Sequence, residues 1–122
     1  MSSRNFLKFS FLLMSLSIAL GAVGAHLLEK SITPKQLETF HTGIKYLSYH
    51  ALAFVAIGTN SKLYEALTWW KRIALIGILL FSGNCVLYSL TGLRAFAMIV
   101  PIGGFSLILA WLVGSIEISK IK

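Results

Sequence analysis

Residues 96–116 read FAMIVPIGGFSLILAWLVGSI, a run of 21 residues without a charged side chain. A helix needs about 20 consecutive, mostly apolar residues to cross the hydrocarbon core of a bilayer. Backbone amide and carbonyl groups in lipid have no water to bond, and a helix pairs them internally. The stretch therefore predicts a transmembrane helix in the C-terminal part of the chain.

Three further apolar stretches precede this run along the chain: Phe6–Leu28, Tyr46–Thr59 and Ile73–Leu90. The first and the third are long enough to span a bilayer by themselves. The second is too short on its own, so its assignment depends on the residues before it.

A helix start precedes the short stretch and lengthens it. Thr33 is a favourable N-cap, Pro34 suits the first helical position, and Gln36 completes a capping box. A helix from Pro34 to Thr59 would be about 39 Å long at 1.5 Å per residue. We therefore predict an all-α fold, an integral membrane four-helix bundle forming one domain over residues 1–122, with helices at about 6–28, 34–59, 73–90 and 96–116.

The overall composition also indicates lipid as the solvent. Apolar residues make up 57% of the chain, charged residues only 12%, and the mean hydropathy is +0.80. Soluble domains average about 45–50% apolar and about 25% charged residues. The net charge of +7 would suit nucleic-acid binding on a soluble fold, but the basic residues here flank the apolar runs. Nucleic acid is therefore excluded as a partner.

The N-terminal stretch has a second interpretation as a signal peptide. Arg4 precedes the apolar run and Lys8 lies near its start, and the small residues 21–25 follow towards its end. The run is longer than the apolar region of a usual signal peptide, which favours a retained helix.

Lysine and arginine are unevenly divided between the two sides of the predicted bundle. The termini and the second connection carry seven of the eleven basic residues, and the first and third connections carry four. The positive-inside rule therefore predicts that both termini lie in the cytoplasm. Trp69 and Trp70, beside Lys71 and Arg72, are predicted to anchor the third helix in the headgroup zone.

Small residues indicate where the helices pack closely. Helices in lipid associate by van der Waals contact, and small side chains let their backbones approach. The predicted packing positions are Ser17, Gly21 and Gly24 in the first helix, Gly77 and Gly83 in the third, and Gly103 and Gly104 in the fourth.

Four polar residues lie in or at the edge of the apolar stretches: His26, His50, Asn84 and Tyr88. Polar groups inside a membrane are functional candidates by default. The histidines have three interpretations, which are a structural hydrogen bond, a contact to a proton or substrate, and ligation of haem or a metal. Asn84 either joins helices or lines a cavity, because an unpaired amide in lipid is costly.

The order of several motifs resembles the YgdD-like family of small membrane proteins. These are GAVGAH at 21–26, TPKQLETFHTGIKYLSYHALA at 33–53, LFSG at 80–83, Tyr88, TG at 91–92, PIGG at 101–104 and Trp111. The resemblance implies a four-helix protein of the bacterial cytoplasmic (inner) membrane, and it implies no activity, since the function of the family is unknown. It marks His26, Tyr46, His50, Ser82 and Tyr88 as motif positions.

The sequence contains no catalytic constellation. There is no Ser-His-Asp set, no carboxylate pair and no phosphate-binding loop, and Cys85 is single and lies in an apolar stretch. We therefore predict a protein that is not an enzyme, with no cofactor and no metal. It would act as a scaffold, a lipid-binding element or an accessory subunit, with membrane lipid, a membrane protein or a second copy as partner. The alternatives are a small oligomeric transporter or channel and a haem-binding redox protein.

Overall fold

The computed structural model describes all residues from Met1 to Lys122 and is entirely helical. It has four long helices and one short helix. These are α1 (Ser3–Leu28), α2 (Pro34–Gly58), the short α3 (Ser61–Ala66), α4 (Thr68–Thr91) and α5 (Arg94–Ser119). Two of the long helices contain a wider π turn, at Leu20–Gly24 in α1 and at Leu79–Gly83 in α4.

Three helices are long and apolar enough to cross a membrane, namely α1, α4 and α5. The fourth long helix, α2, has 25 residues but carries Lys35, Glu38 and Lys45 in its N-terminal half. The length and composition of the chain thus give three candidate spans and one long helix with a charged first half.

The start of α2 confirms the predicted capping box. The Thr33 hydroxyl accepts a hydrogen bond from the Gln36 amide at 3.2 Å, and the Gln36 side chain accepts one from the Thr33 amide at 2.8 Å. Pro34 occupies the first turn, where its missing N–H is not needed. Local sequence therefore determines where this helix begins.

The end of α4 is also determined locally. Gly92 follows the helix with a φ of 69°, the left-handed conformation that glycine adopts without steric penalty. Its amide donates to the Tyr88 carbonyl at 2.7 Å. The chain then reverses immediately into α5, so α4 and α5 are antiparallel neighbours.

The start of α4 differs from the prediction, because the helix begins at Thr68 rather than Ile73. The side chain of Glu117, near the end of α5, accepts hydrogen bonds from the Trp69 and Trp70 amides at 2.9 and 3.0 Å. A carboxylate at this position also opposes the positive end of the helix dipole. This cap comes from a residue distant in sequence.

The prediction that Trp70 anchors the headgroup zone is wrong. Its side chain is only 2% exposed, whereas that of Trp69 is 58% exposed. The Trp70 ring packs at 5.4 Å between the rings of Phe54 and Trp111. It belongs to an aromatic core, which continues from Phe54 to Phe6 at 5.3 Å.

The four long helices pack as an open row in the order α1, α2, α4, α5. The two outer helices, α1 and α5, do not pack against each other. The two helices that flank α4, α2 and α5, also lack direct packing along their length. The predicted bundle is therefore open, and one side of α4 is left as the floor of a groove.

Both termini lie at one end of this row. The Tyr64 hydroxyl donates to the Met1 carbonyl, and the Lys62 ammonium donates to the backbone of Lys122 at 3.0 Å. The connection between α2 and α4 thus contacts both chain ends. The remaining two connections lie at the opposite end.

Small residues lie at most of the close helix contacts. A Cβ atom at Gly77 would lie 2.7 Å from Leu107, and one at Gly103 would lie 2.6 Å from the backbone of Leu80. The remaining predicted positions also face another helix. Ser17 is bonded to the Ser48 hydroxyl, and an added Cβ atom would lie 3.4 Å from Ile44 at Gly21, 3.3 Å from Phe40 at Gly24 and 3.6 Å from Phe81 at Gly104. The predicted packing role of Gly83 is wrong, because a Cβ atom there would meet nothing within 4 Å.

Candidate functional site

The most distinctive polar contact in the membrane-facing part of the molecule joins α2 and α5. His50 is buried in α2, and its Nδ1 lies 2.7 Å from the Tyr46 carbonyl oxygen. The indole N–H of Trp111, on α5, donates to His50 Nε2 at 3.0 Å. An indole can only donate and a carbonyl can only accept. His50 is therefore a neutral imidazole with its proton on Nδ1.

The His50–Trp111 bond crosses a groove between two helices that otherwise do not pack together. The groove is formed by positions spaced three or four residues apart on each helix, which places them on one helical face. Two cavities lie along these faces, and together we call them the α2/α5 groove. The lining of the first includes Lys35 and Thr39 of α2, Tyr88 of α4, and Arg94, Ala97 and Pro101 of α5. The lining of the second includes Thr42, Tyr46 and His50 of α2, Phe81 of α4, and Gly104, Ile108 and Trp111 of α5.

The middle of the α2/α5 groove is mostly apolar. Tyr46, on one wall, packs edge-on against Phe81 of the floor with the ring centroids 5.2 Å apart. Gly104 on the opposite wall has no side chain and leaves a cavity of about 380 Å³ that ends at the His50–Trp111 bond. This part of the groove opens to the side of the helix row.

The outer end of the groove, away from the chain termini, is basic. Lys35 and Arg94 lie on its two walls beside a cavity of about 530 Å³, with Thr39 and Tyr88 between them. Neither cation has a carboxylate oxygen within 4.0 Å. The mouth of the groove therefore carries two positive charges that form no ion pair within the protein.

Two of the predicted site residues are occupied in structural contacts. The Ser82 hydroxyl donates to the Gly43 carbonyl at 2.7 Å, and the Asn84 amide donates to the Leu80 carbonyl at 2.8 Å. Neither residue lines the α2/α5 groove. Cys85 is buried as expected for a small apolar side chain, and it packs against Gly43.

His26 and His50 do not form one site. The side chain of His26 is 79% exposed and lies 3.6 Å from Glu29 at the end of α1. His50 is buried, and both of its ring nitrogens are already hydrogen-bonded. For His50 to act as an axial haem ligand, its Nε2 would first have to give up the hydrogen bond from Trp111.

Sequence reasoning did not identify Lys35, Arg94, Trp111 or Glu117 as functional positions. A signal for the first three was present in the spacing. Positions 35, 39, 42, 46 and 50 share one face of a helix, and so do 94, 97, 101, 104, 108 and 111. What the spacing lacks is the information that these two faces are turned towards each other.

Replacing Trp111 with phenylalanine is expected to remove the bond across the groove. The free energy of unfolding should fall by about 1 kcal/mol, the typical net contribution of one hydrogen bond. Nitrogen-15 NMR of histidine-labelled protein should show a protonated Nδ1 and an unprotonated Nε2 in the wild type, with Nε2 shifted in the variant. Trp69→Phe is the control, because Trp69 is exposed and makes no side-chain hydrogen bond. A wild-type proton on Nε2 contradicts the assignment.

Comparison with known proteins gives a consistent result. The family model described as "Protein of unknown function (DUF423)" matches residues 20–104. The UPF0382 inner membrane protein YgdD of Escherichia coli (strain K12) is 32% identical over 98% of this chain and 95% of its own. The UPF0382 membrane protein YwdK of Bacillus subtilis (strain 168) is 39% identical, covering 80% of this chain and 81% of its own. No solved structure matches the chain.

Proposed function

The chain belongs to the DUF423 family of proteins of unknown function, and we propose that it is a membrane scaffold that binds a membrane component in its α2/α5 groove. It crosses the cytoplasmic membrane four times, with both termini in the cytoplasm. It neither catalyses a reaction nor moves a solute across the bilayer.

The number of spans is supported by the antiparallel order of the helices. The 25 residues of α2 give a length of about 37 Å, more than the roughly 30 Å of a hydrocarbon core. This helix packs between α1 and α4, both of which are candidate spans. This position between two candidate spans supports a fourth span for α2.

The orientation is supported by the charges at the two ends. The end that holds both termini carries Arg4, Lys8, Lys62, Lys71, Arg72, Lys120 and Lys122, and the other end carries Lys30, Lys35, Lys45 and Arg94. Basic residues are retained on the cytoplasmic side during insertion. The seven-residue end is therefore assigned to the cytoplasm.

The hydrogen bonding of the buried polar side chains favours a scaffold over a transporter. Every buried side-chain nitrogen and oxygen atom has a hydrogen-bond partner inside the protein. Most of these partners are backbone carbonyl groups, as for Ser10, His50 and Ser89. A solute path needs polar groups that are free to bind the solute. The bundle instead offers a groove open to the side.

We expect vesicles that contain the purified protein to leak protons and potassium at the same rate as vesicles without protein. A pH-sensitive dye and a potassium-sensitive dye inside the vesicles measure the two rates, and a channel-forming peptide is the positive control. Flux above the protein-free rate that disappears in His50→Ala or Asn84→Ala vesicles contradicts the scaffold and supports the transporter.

A second measurement locates the bound component. A photoreactive amino acid at Ile108, on the groove wall, is expected to cross-link one defined membrane component in living cells. The matched control is Phe11 on the outer face of α1, since both side chains are 60% exposed. Phe11 should give only bulk lipid adducts. Identical products at the two positions contradict a binding role for the groove.

A further inference from the structure

We infer that the α2/α5 groove holds an anionic phospholipid, with its phosphate between Lys35 and Arg94 and one acyl chain lying along the groove as far as the His50–Trp111 bond. This inference rests on the proposed binding role and adds the chemical class of the ligand.

The headgroup is assigned from charge complementarity at the mouth. Lys35 and Arg94 line the same cavity from different helices, and neither forms an ion pair with a carboxylate of the protein. The planar guanidinium group of arginine can donate two parallel hydrogen bonds to a phosphodiester, and the ammonium group of lysine pairs with it as a point charge. Tyr88 adds a hydroxyl group beside the cations, and this group can donate to a phosphate or glycerol oxygen atom, whereas the Thr39 hydroxyl already donates to the Lys35 carbonyl at 2.9 Å.

The acyl chain is assigned from the shape of the groove beyond the mouth. From Ala97 to Trp111 the α5 wall is about 21 Å long at 1.5 Å per residue. One leaflet of a hydrocarbon core is about 15 Å deep, so an acyl chain entering beside Arg94 fits within this length. Gly104 leaves space in the wall, and Ile108 and Phe81 make that section apolar.

The depth of the site is set by the bond between His50 and Trp111. This bond is the one hydrogen bond that crosses between α2 and α5, and the groove beyond it is lined from α4 by Trp70. The end of the chain would contact the two rings, His50 and Trp111, whose centroids are 5.9 Å apart.

Other ligands match fewer of these features. A free phosphate ion would occupy the mouth and leave the apolar section empty. A transmembrane helix is about 10 Å wide, and an apolar one would leave Lys35 and Arg94 without a counter-charge. A zwitterionic phospholipid fills the groove but compensates the mouth less well than an anionic one.

The test is native mass spectrometry of the protein in a neutral detergent with equal amounts of phosphatidylglycerol and phosphatidylcholine that carry the same acyl chains. The wild type should retain one phosphatidylglycerol molecule in preference. Each cation near an anionic headgroup is worth roughly a factor of five. In the double variant Lys35→Gln/Arg94→Gln, the preference for phosphatidylglycerol over phosphatidylcholine should therefore fall by about 25-fold.

The matched control is Lys30→Gln/Lys45→Gln, which also removes two positive charges, from residues that do not line the groove. It should keep the wild-type preference. Millimolar inorganic phosphate should not displace the lipid. Gly104→Leu, which places a side chain in the acyl section, should weaken the binding of both lipids, whereas Gly83→Leu should not.

Three outcomes overturn the inference: equal retention of the two lipids, equal losses in the two double variants, or displacement by inorganic phosphate. Each of them leaves the scaffold intact if the groove cross-links a protein at Ile108. Protein-dependent flux in vesicles instead contradicts the scaffold, whichever lipid is retained. The two proposals therefore fail separately.

Discussion

Replacement of Gly103 with alanine is expected to lower the free energy of unfolding by about 3 kcal/mol, the upper end of the usual range for overpacking. The added Cβ atom would lie 2.6 Å from the carbonyl carbon of Leu80 and 2.7 Å from the Cα atom of Phe81. These are backbone atoms of the π turn in α4, and they cannot rotate away as a side chain can. The two helices have to separate.

The measurement is reversible unfolding of the purified protein in mixed micelles with increasing sodium dodecyl sulfate, followed by far-ultraviolet circular dichroism. Gly83→Ala is the matched control, because it makes the same chemical change in a neighbouring π-turn residue that faces open space. Alanine is the better helix former by up to about 1 kcal/mol, so this variant should unfold no earlier than the wild type. Equal losses in the two variants contradict the close backbone contact.

Replacement of Glu117 with glutamine is expected to lower the free energy of unfolding by about 2 kcal/mol. The carboxylate accepts from the Trp69 and Trp70 amides, and hydrogen bonds to a charged group contribute about 1.5–3 kcal/mol each. Glutamine keeps one acceptor, but its amide group places N–H bonds against a backbone N–H. The negative charge at the start of α4 is lost as well.

Unfolding in sodium dodecyl sulfate measures this change too, now with tryptophan fluorescence as the readout, since Trp70 is buried beside the cap. Glu65→Gln provides the comparison, because it removes the same charge from the same end of the molecule without breaking a side-chain hydrogen bond. Its effect should stay within about 0.5 kcal/mol. If the two variants lose equal stability, the effect comes from net charge and not from the cap.

Features that depend on neighbouring residues could be predicted from the sequence. Thr33, Pro34 and Gln36 specify the start of α2 within one turn, and the structure shows the capping box that they predict. The uncharged run at 96–116 specified α5 to within three residues at either end. The motif order also identified the family to which the chain belongs.

Features that depend on distant residues could not be predicted in the same way. The start of α4 is set by Glu117, which is 47 residues from Trp70. Trp70 has the flanking lysine and arginine of an interfacial residue, and only its contact with Gly114 and Phe54 shows that it is part of the core. The pattern of apolar residues along one helix does not reveal which distant residue will contact it.

The candidate site was predicted in part, for the same reason. His50, Tyr46 and Tyr88 were singled out, and all three line the α2/α5 groove. Ser82 and Asn84 are also polar residues in an apolar stretch, but they do not line the groove, and their side chains donate to backbone carbonyl groups. Whether a polar side chain in a membrane faces a cavity or a carbonyl group depends on the rotation of its helix against the next one.

The open row of helices has a consequence for how the protein is made. Each long helix packs mainly on one that precedes it in the chain, α2 on α1, α4 on α2 and α5 on α4. During synthesis, a helix that leaves the ribosome therefore finds its main packing partner already in the bilayer, and only the cap at the start of α4 waits for Glu117 of α5. Contacts made between successive segments have a low entropic cost of closure. Assembly of this protein can thus proceed in step with translation, from the first hairpin to the last helix.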